Sequence, residues 1–519
     1  MPFQHFTDNQ LVPLVTSIII LLCSIFIFNG KKPRAGVALL FLGSLAMGYF
    51  MANLDPFLVI WDEQYHALVA RNMTIEPLMP TLFKTPILDY DYQNWTANHI
   101  WLHKQPLFLW QIALSLKIFG YNTIAVRLPS IILHAITSLM VFRIGKISVS
   151  ERVGFYGALF FTVAYYPLEL IAGRFATDHN DISFLFYVTA SFWAWFEYYD
   201  SKRKYFLFFI GLFSGCAVLV KWLPGLLIYA SWFLTIGVND KRNWVRIKSY
   251  TPMFLSLLVT FIVFVPWQIY ILRKFPIEAN YEFALNTKHF FEPIEDHGGN
   301  VWFHLHALRD LYGSGEAVPY ILLLGLIILM VKTRLNTYRT VMISSVLIVY
   351  IFYSIAATKM TSFCLIVAPI LFLGLAALTD GALRYICLKF DYRVLKLSLT
   401  PVMLMAICYF LLNTDKIQNY HTDWKPHDNM GRKADMEQMA FISRLKSRLG
   451  NEHYVVFNAD VRVNGHIAVM FFTDYVAYNF IPSEDQLLQV KAKNYKIAIR
   501  DNGTLPEYIK MRKDIIGIQ

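Results

Sequence analysis

Charged residues are scarce in this chain of 519 residues: Asp, Glu, Lys and Arg make up 16% of it, whereas hydrophobic residues make up 56%. The apolar residues collect in long runs and do not alternate with polar ones, which excludes a multi-domain cytosolic enzyme. The same composition excludes a disordered or fibrous chain. We therefore expect an integral membrane protein.

Cysteine is rare as well, and no cysteine lies in the polar carboxyl-terminal tail. The chain has no CxxC pair, and its five cysteines fall in or beside apolar segments: Cys23, Cys216, Cys364, Cys387 and Cys408. We therefore expect neither a disulfide framework nor a thiolate metal site.

Apolar stretches of about 20 residues are long enough to cross a bilayer. The sequence predicts twelve such spans, at residues 11–29, 36–54, 125–143, 153–171, 182–199, 205–220, 222–238, 251–271, 317–331, 340–357, 361–379 and 397–413. The first follows a polar start without a basic region or a cleavage signal, so we expect a retained helix and not a signal peptide.

Lys and Arg are concentrated in alternate loops between these spans. The net charge of +11 could suggest a nucleic-acid partner, but 20 of the 47 basic residues lie in six short loops, around residues 31–34, 143–152, 202–204, 241–248, 332–339 and 384–396. This distribution sets topology and places those loops in the cytoplasm. The outside face then holds the segment 55–124, the turn around Asp178, the loop 272–316 and the tail.

The tail, residues 414–519, differs from the rest of the chain because helical and strand patterns alternate in it. Helical stretches at Met436–Leu449, Gly465–Phe472 and Asp485–Val490 precede strand-like runs at 454–457, 475–478 and 496–499. This order is typical of a small three-layer α/β domain. We expect a transmembrane catalytic domain over residues 1–413 and an extracytoplasmic α/β domain over residues 414–519.

Two adjacent acidic residues, Asp62 and Glu63, follow the second predicted span and open an amphipathic helix. Carboxylates at a helix start stabilise the helix dipole, so they could serve structure alone. An ionised Asp beside a Glu could equally take a proton from an acceptor hydroxyl or amine. The pair by itself leaves both interpretations open.

Further blocks on the expected outside face give the pair a context. They comprise WDEQYHALVARNM at 61–73, HKQPLFLWQIALSLKIFG at 103–120, AVRLPS at 125–130, DHND at 178–181, LVK at 219–221, the loop 286–299 that ends in HGG, and TKMTSF at 358–363. In this order they resemble the GT-C glycosyltransferases. The nearest patterns are DExxYAxxAxxM, KPPLxxWxxAxxxxxFG, ARLPS, LTKGP, HxGG and TKLPHY of the group containing protein O-mannosyltransferases and lipid A aminoarabinose transferases.

The resemblance implies a mainly α, polytopic GT-C fold with about twelve transmembrane helices. It also implies an enzyme that moves a sugar from a polyprenyl-phosphate donor to a lipid, glycan or protein acceptor by an inverting displacement beside the bilayer. We expect a multi-pass protein of the bacterial plasma membrane, with its active site on the extracytoplasmic face and without a nucleic-acid partner.

Site residues follow from the same resemblance. Asp62 is the expected base with Glu63 assisting, and Lys104 is expected to hold the donor phosphate, with Tyr65 also contacting substrate. Lys221 and Lys359 could neutralise the departing phosphate or merely extend to the membrane interface. Asp178 and Asp181 compete for a second acidic role, with Asp178 favoured, and His297 belongs to a loop expected to pack over the site.

Several positions depart from the family patterns. His103 replaces an acidic residue, Gln105 replaces the second proline of KPP, and Ser362 and Phe363 replace a His and a Tyr. The donor sugar or the metal dependence could therefore differ. No cofactor is certain, although His103 and His297, with His289 and Glu295, could bind a divalent metal.

Other classes of function predict different patterns. A lipid-linked oligosaccharide polymerase or ligase would share the many spans and the outside site. A transporter or flippase would place its charges near the bilayer midplane and would show repeated halves, whereas Asp62, Lys104 and Asp178 fall in outside loops and no repeat is visible. A receptor or structural protein would leave the acidic and KQPL blocks unexplained.

Overall fold

The computed structural model describes residues 3–30, 32–175, 179–313, 315–389, 393–424 and 429–519, and describes only the backbone of 387–389 and 393–398. Asp178 lies outside the described residues. The fold is mainly helical, as expected. Its α-helices in chain order are α1 (Asp8–Asn29), α2 (Pro33–Ala52), α3 (Asp62–Met73), α4 (Pro106–Phe119), α5 (Thr123–Ser148), α6 (Glu151–Val163), α7 (Tyr165–Ile171), α8 (Asp181–Ser201), α9 (Tyr205–Lys221), α10 (Leu227–Thr235), α11 (Thr251–Lys274), α12 (Pro276–Phe291), α13 (Phe303–His306), α14 (Leu308–Tyr312), α15 (Val318–Lys332), α16 (Asn336–Ile355), α17 (Ala368–Lys389), α18 (Arg393–Leu412), α19 (Thr414–His421), α20 (Met430–Leu449), α21 (Gly465–Phe472), α22 (Glu484–Ala492) and α23 (Glu507–Lys510).

Each of the twelve predicted spans coincides with a helix or with two consecutive helices. Among the described residues, six helical segments are long and apolar enough to cross a membrane: Asp8–Asn29, Pro33–Ala52, Thr123–Ser148, Ile247–Lys274, Asn336–Ile355 and Thr361–Ile386. The bent pair α6–α7, with a 50° angle, makes a seventh if it is one span, and four more apolar helices are shorter. The chain is thus an integral membrane protein, and the count of twelve stays a prediction.

The residues group into two compact units. Unit 1 comprises Met1–Met51, Ser130–Ile171 and Asn180–Ile417, and unit 2 comprises Ala52–Pro129, Ala172–His179 and Gln418–Gln519. The functional division between residues 413 and 414 stays a prediction.

Unit 1 is a bundle of apolar helices. Helix α9 packs on α8 and α11, and α17 packs on α6 and α15. Where α15 and α17 cross, their backbones meet at Gly325 and Gly374: a Cβ atom on Gly325 would lie 2.8 Å from the carbonyl carbon of Gly374. Small residues at a crossing let membrane helices approach closely, so these glycines fix the contact.

In unit 2, α3 packs against α4 and α21. Helix α4 begins with Pro106, which fits a first helical position because no intrahelical partner is needed for its missing N–H, and it ends at Gly120 with φ of +82°. Both helices lie within the segment 55–124.

The carboxyl-terminal part of unit 2 contains a parallel sheet. Its strands are β1 (Tyr454–Phe457), β2 (Val476–Ala477), β3 (Lys496–Arg500) and β4 (Ile515–Ile518), in the order β2-β1-β3-β4. Val455 pairs with Val476 and with Ile497, and Ile497 pairs with Ile515. All of β1 and the middle of β3 are buried, so the apolar runs that predicted these strands form the centre of the sheet. Strand β4 was not predicted.

Candidate active site

An ion pair forms where helix α3 begins. The Asp62 carboxylate is 3% exposed, and the Lys104 ammonium, one residue before the N-cap of α4, lies 3.2 Å from its Oδ2. Burial alone would raise the pKa of Asp62, but the positive charge of Lys104, which is the largest opposing influence, lowers it to about 2. Asp62 is therefore ionised and is held by a cation whose side chain is 22% exposed.

The neighbouring carboxylate, Glu63, has a different environment. The Arg127 guanidinium donates to both of its oxygens, at 2.7 and 3.0 Å, and both side chains are fully buried. The Val59 amide also donates to Glu63, at 2.7 Å. Arg127 donates further to the carbonyls of Ala52, Asp55 and Phe57. Glu63 is thus the centre of a buried network that fixes the chain before α3.

Backbone strain and aromatic rings mark the same helix start. Trp61 has φ of +67° and provides no side-chain cap, a conformation that a bulky residue adopts only when its surroundings impose it. Its ring lies 6.0 Å from that of Trp95, and the His103 ring stacks on Trp95 at 4.4 Å. Asp62 and Glu63 occupy the first turn, where they also favour the helix dipole. The structural and the functional interpretations of the acidic pair are therefore compatible.

Tyr65 is buried, and its hydroxyl lies 3.2 Å from Asn464 Oδ1 and 3.3 Å from the carbonyl of Thr96. Burial and the Asp460 carboxylate raise the pKa of Tyr65. This side chain joins α3 to the carboxyl-terminal part of unit 2. Its predicted contact with substrate stays a prediction.

A second buried carboxylate, Asp55, binds residues from the carboxyl-terminal part. His421 contacts Asp55, and the Arg432 guanidinium lies 2.9 Å from it and 2.8 Å from Asp423. Burial would raise the pKa of Asp55, but His421, Arg432 and Arg127 together hold it below its ordinary value. Nothing in the sequence indicated this cluster, because more than 360 residues separate its members.

Two buried histidines lie beside the acidic pair. His66 Nδ1 is 3.0 Å from His179 Nδ1, His66 Nε2 is 4.0 Å from Asp62 Oδ2, and His179 Nε2 is 3.9 Å from Glu63 Oε1. Neither histidine was predicted as a site residue. A signal was present, since the pattern DExxYAxxAxxM laid on residues 62–73 puts its tyrosine at His66 and not at Tyr65.

In unit 1, the predicted residues form two separate groups. The Lys221 ammonium pairs with Asp181 at 2.5 Å and lies 5.0 Å from the centre of the Phe363 ring. The Lys359 ammonium donates to the carbonyls of Tyr353, Ser354 and Ala356, which end helix α16. Unpaired carbonyls at a helix end favour a cation, so this geometry gives Lys359 a capping role.

The loop containing His297 lies against the same part of unit 1. The His297 carbonyl accepts from the Lys359 amide at 2.8 Å, and a Cβ atom on Gly299 would lie 3.1 Å from the Lys359 side chain. Among the residues that the structure describes, no group of three or more His, Cys, Asp and Glu is arranged to bind a metal. The metal site at His103 and His297 stays a hypothesis.

A sequence model of the family described as dolichyl-phosphate-mannose-protein mannosyltransferase matches residues 103–270. The chain is 26% identical over 229 residues to an uncharacterized protein of Aquifex aeolicus, covering 41% of this chain and 42% of that protein. It is also 26% identical over 232 residues to the undecaprenyl phosphate-alpha-4-amino-4-deoxy-L-arabinose arabinosyl transferase of Pseudomonas paraeruginosa, covering 41% of this chain and 40% of the relative. The alignments thus span about two fifths of each relative's length.

Two solved structures are similar over most of the chain. ArnT from Cupriavidus metallidurans bound to undecaprenyl phosphate has a TM-score of 0.63 at 14% identity, covering 88% of both chains. The archaeal oligosaccharyltransferase AglB from Archaeoglobus fulgidus, in complex with an inhibitory peptide and a dolichol-phosphate, has a TM-score of 0.55 at 11% identity, covering 90% of this chain and 69% of that one. At these identities the likeness shows a shared fold.

Proposed function

Since the chain has the fold of the GT-C glycosyltransferases and resembles their protein O-mannosyltransferase and aminoarabinose transferase group, we propose that it transfers a sugar from a polyprenyl-phosphate donor to an extracytoplasmic acceptor. The observation that carries the proposal is the buried Asp62–Lys104 ion pair at the start of α3. It combines an ionised base with a cation that suits a phosphate, and these are the two groups that the reaction needs.

In the proposed reaction, Asp62 takes the proton of the acceptor hydroxyl or amine while the acceptor attacks the anomeric carbon. The bond from that carbon to the phosphate oxygen breaks, and the polyprenyl phosphate leaves with the electron pair. The Lys104 ammonium stabilises the charge that develops on the phosphate. A single displacement of this kind inverts the anomeric configuration.

A carboxylate with a pKa of about 2 is a weak base, and donor binding offers a way to strengthen it. A phosphate that draws the Lys104 ammonium towards itself removes the largest favourable charge from Asp62. The effect of burial is then no longer offset by the positive charge of Lys104, and the pKa of Asp62 rises. We infer that the donor phosphate activates the base by competing for its partner, so that Asp62 becomes basic only when a donor is bound.

The remaining predicted residues receive narrower roles. Glu63 is committed to Arg127 and Val59, so we propose that it positions Asp62 and does not itself accept a proton. Lys221, paired with Asp181, is kept as a second phosphate contact. Lys359 is proposed to act as a helix cap. Asp178 keeps its predicted acidic role.

The names of the relatives guide the choice of substrates. One relative is an undecaprenyl-phosphate aminoarabinose transferase, and one solved structure holds undecaprenyl phosphate. We therefore propose undecaprenyl phosphate as the carrier, lipid A, a glycan or a protein hydroxyl as the acceptor, and the extracytoplasmic face of the plasma membrane as the location. The clusters of Lys and Arg in alternate loops support this orientation.

The test is transfer of labelled sugar from a panel of undecaprenyl-phosphate sugars by protein purified in detergent or nanodiscs. We expect wild-type protein to release undecaprenyl phosphate, Asp62→Asn to lower kcat by about 100-fold or more, and Lys104→Met to lower kcat and weaken donor binding. Matched controls are Asp89→Asn and Lys117→Met, which change exposed residues of the same segment. The anomeric configuration of the product tests inversion, and a chelator arm tests the metal.

Equal activity in the Asp62 and Lys104 variants and in their controls would contradict the site. A wild-type protein that consumes no donor with any acceptor would contradict the function.

A lipid-linked oligosaccharide transferase is the second candidate, favoured by the fold shared with AglB over 90% of this chain. The donor of such an enzyme carries an oligosaccharide, whereas the donor of the first proposed function carries a single sugar. The same assay distinguishes the two candidates when the panel includes an oligosaccharide donor, because transfer of the whole oligosaccharide and no single sugar would select this alternative.

A further inference from the structure

His66 and His179 share a hydrogen bond between nitrogens of the same kind. Their Nδ1 atoms lie 3.0 Å apart, the ring centres are 5.2 Å apart with 21° between the planes, and both side chains are at most 1% exposed. Such a bond requires one Nδ1 to carry a proton and the other to be bare. When both rings are neutral, the pair therefore holds two different tautomers.

Burial keeps both rings neutral. It lowers the pKa of His66 well below the ordinary value, and it lowers the pKa of His179, although the nearby carboxylates oppose it. The charged and titratable groups facing His66 are Asp62, His179, Lys104 and His103, and those facing His179 are His66, Glu63, Asp62 and Arg127. An imidazolium in this site would be destabilised by neighbouring positive charges as well as by burial.

The two outer nitrogens face the two carboxylates. His66 Nε2 lies 4.0 Å from Asp62, and His179 Nε2 lies 3.9 Å from Glu63. Within the described part of the chain, neither Nε2 has a hydrogen-bond partner, and Asp62 Oδ2 has none besides the Lys104 ion pair. These buried polar atoms therefore face one another across a short gap.

The two carboxylates differ in how well they are neutralised. Glu63 receives two hydrogen bonds from Arg127 and one from the Val59 amide. Asp62 has the ammonium of Lys104, a side chain that is 22% exposed. A ring N–H is stabilised more strongly when it faces the less neutralised carboxylate. A bare ring nitrogen is repelled less when it faces the better neutralised carboxylate. This favours Nε2–H on His66 and a bare Nε2 on His179.

We propose that His66 and His179 form a positioning dyad for Asp62. His179 Nδ1–H donates to His66 Nδ1 and thereby selects the tautomer of His66 whose Nε2–H faces the Asp62 carboxylate. The proposal rests on the proposed function in one respect, that Asp62 is the base. When the donor phosphate draws Lys104 away, His66 remains as a neutral donor, which orients the carboxylate and lowers its basicity less than a cation does.

The first experiment compares two pairs of similar-sized variants in the transfer assay. His66→Gln keeps a donor near the Nε2 position and His66→Met removes it, while His179→Asn keeps a donor near Nδ1 and His179→Leu removes it. We expect kcat to fall at least tenfold in the Met and Leu variants with KM nearly unchanged, and to stay within about threefold of wild type in the Gln and Asn variants.

The pH dependence separates this role from simple packing. In His66→Met the ionised Asp62 carboxylate loses the polar N–H that faces it from 4.0 Å. Its pKa therefore rises, and the acid limb of the kcat profile moves up by about one pH unit. His66→Gln keeps the limb in place. Equal kcat and equal acid limbs for folded His66→Gln and His66→Met would overturn the proposal.

A second measurement is independent of catalysis. In protein labelled with ¹⁵N-histidine, NMR distinguishes protonated from bare ring nitrogens, with His66→Gln and His179→Asn assigning the signals. We expect bare Nδ1 and protonated Nε2 on His66, and the reverse on His179. Two imidazolium rings, or two rings that both carry Nε2–H, would overturn the dyad even if transfer is observed. If wild-type protein transfers nothing, the proposed function fails while the expected tautomers would still support the dyad.

Discussion

Removing the charge of Glu63 tests whether the buried network before α3 holds that part of unit 2 together. Glu63→Gln keeps the shape of the side chain and one acceptor oxygen, but it leaves the fully buried Arg127 guanidinium without its paired carboxylate. Three backbone carbonyls still accept from Arg127, at 2.8–3.0 Å. The variant therefore isolates the loss of charge from the loss of hydrogen bonds.

Removing one partner of a buried ion pair costs about 3–5 kcal/mol. We expect Glu63→Gln to lower the free energy of unfolding by about 3 kcal/mol, because the backbone bonds of Arg127 survive. We expect about 5 kcal/mol for Arg127→Met, which deprives Glu63 of two donors and also leaves the carbonyls of Ala52, Asp55 and Phe57 without theirs.

The assay is unfolding of the purified protein by titration with SDS, followed by tryptophan fluorescence, for the two single variants and the double variant. If the charges depend on each other, the double variant loses less than the sum of the single losses, by about 2 kcal/mol or more. Additive losses would refute the argument, because they would mean that neither charge is compensated by the other in the folded protein.

Three further predictions concern single positions. Because Asp62 has a folded pKa of about 2, below its ordinary value of 3.8, its stabilisation is present above pH 4 and is lost as pH falls towards 2. SDS titrations at stepped pH should show that wild-type protein loses about 2 kcal/mol more than Asp62→Asn over this range. Gly173→Ala should lower the free energy of unfolding in SDS by about 1–3 kcal/mol, since Gly173 has φ of +74° and an added Cβ atom would lie 2.7 Å from Glu63 Oε1. The control is Gly503→Ala, at φ of +85° with open space around it, which should lose only the free energy that the strained backbone requires. Lys359→Met should lower the melting temperature without weakening the binding of labelled undecaprenyl phosphate; weakened binding in a folded protein would restore its predicted phosphate role.

Much of the helical framework could be predicted from the sequence because apolar runs respond to one physical requirement, the length of the hydrocarbon core. Helices such as α1 and α11 coincide with predicted spans within three residues at either end. Strands β1 and β3 were predicted for a related reason, since short apolar runs between polar turns suit a buried parallel sheet. Strand β4, Ile515–Ile518, is as long as β1, but it contains Gly517 and is only partly buried. A glycine weakens the strand signal.

The site was only partly predictable. A sequence motif indicates which residues belong to a site, but only the structure shows which of them are close enough to pair. The resemblance assigned Asp62 and Lys104 to one site, as base and phosphate-binding residue, but it did not predict that they form an ion pair. The pairing of Glu63 with Arg127 was not predicted either, although Arg127 lies in a recognised block, because nothing in the pattern says which charge it meets. Asp55 and His421 had no local pattern at all, and only folding brings them into contact.

The two carboxylates at the start of α3 show how one helix end can provide both rigidity and reactivity. A buried charge needs a partner of opposite charge or hydrogen-bond donors. How firmly that partner is held determines whether another ion can replace it. Glu63 is held by a fully buried guanidinium that is itself fixed by three backbone carbonyls, so no substrate can exchange with its partner at low cost. Asp62 is held by a single ammonium that is 22% exposed, and an incoming phosphate can compete for it. In the proposed mechanism, rigidity at residue 63 is therefore what allows residue 62 to lose its partner without losing its position.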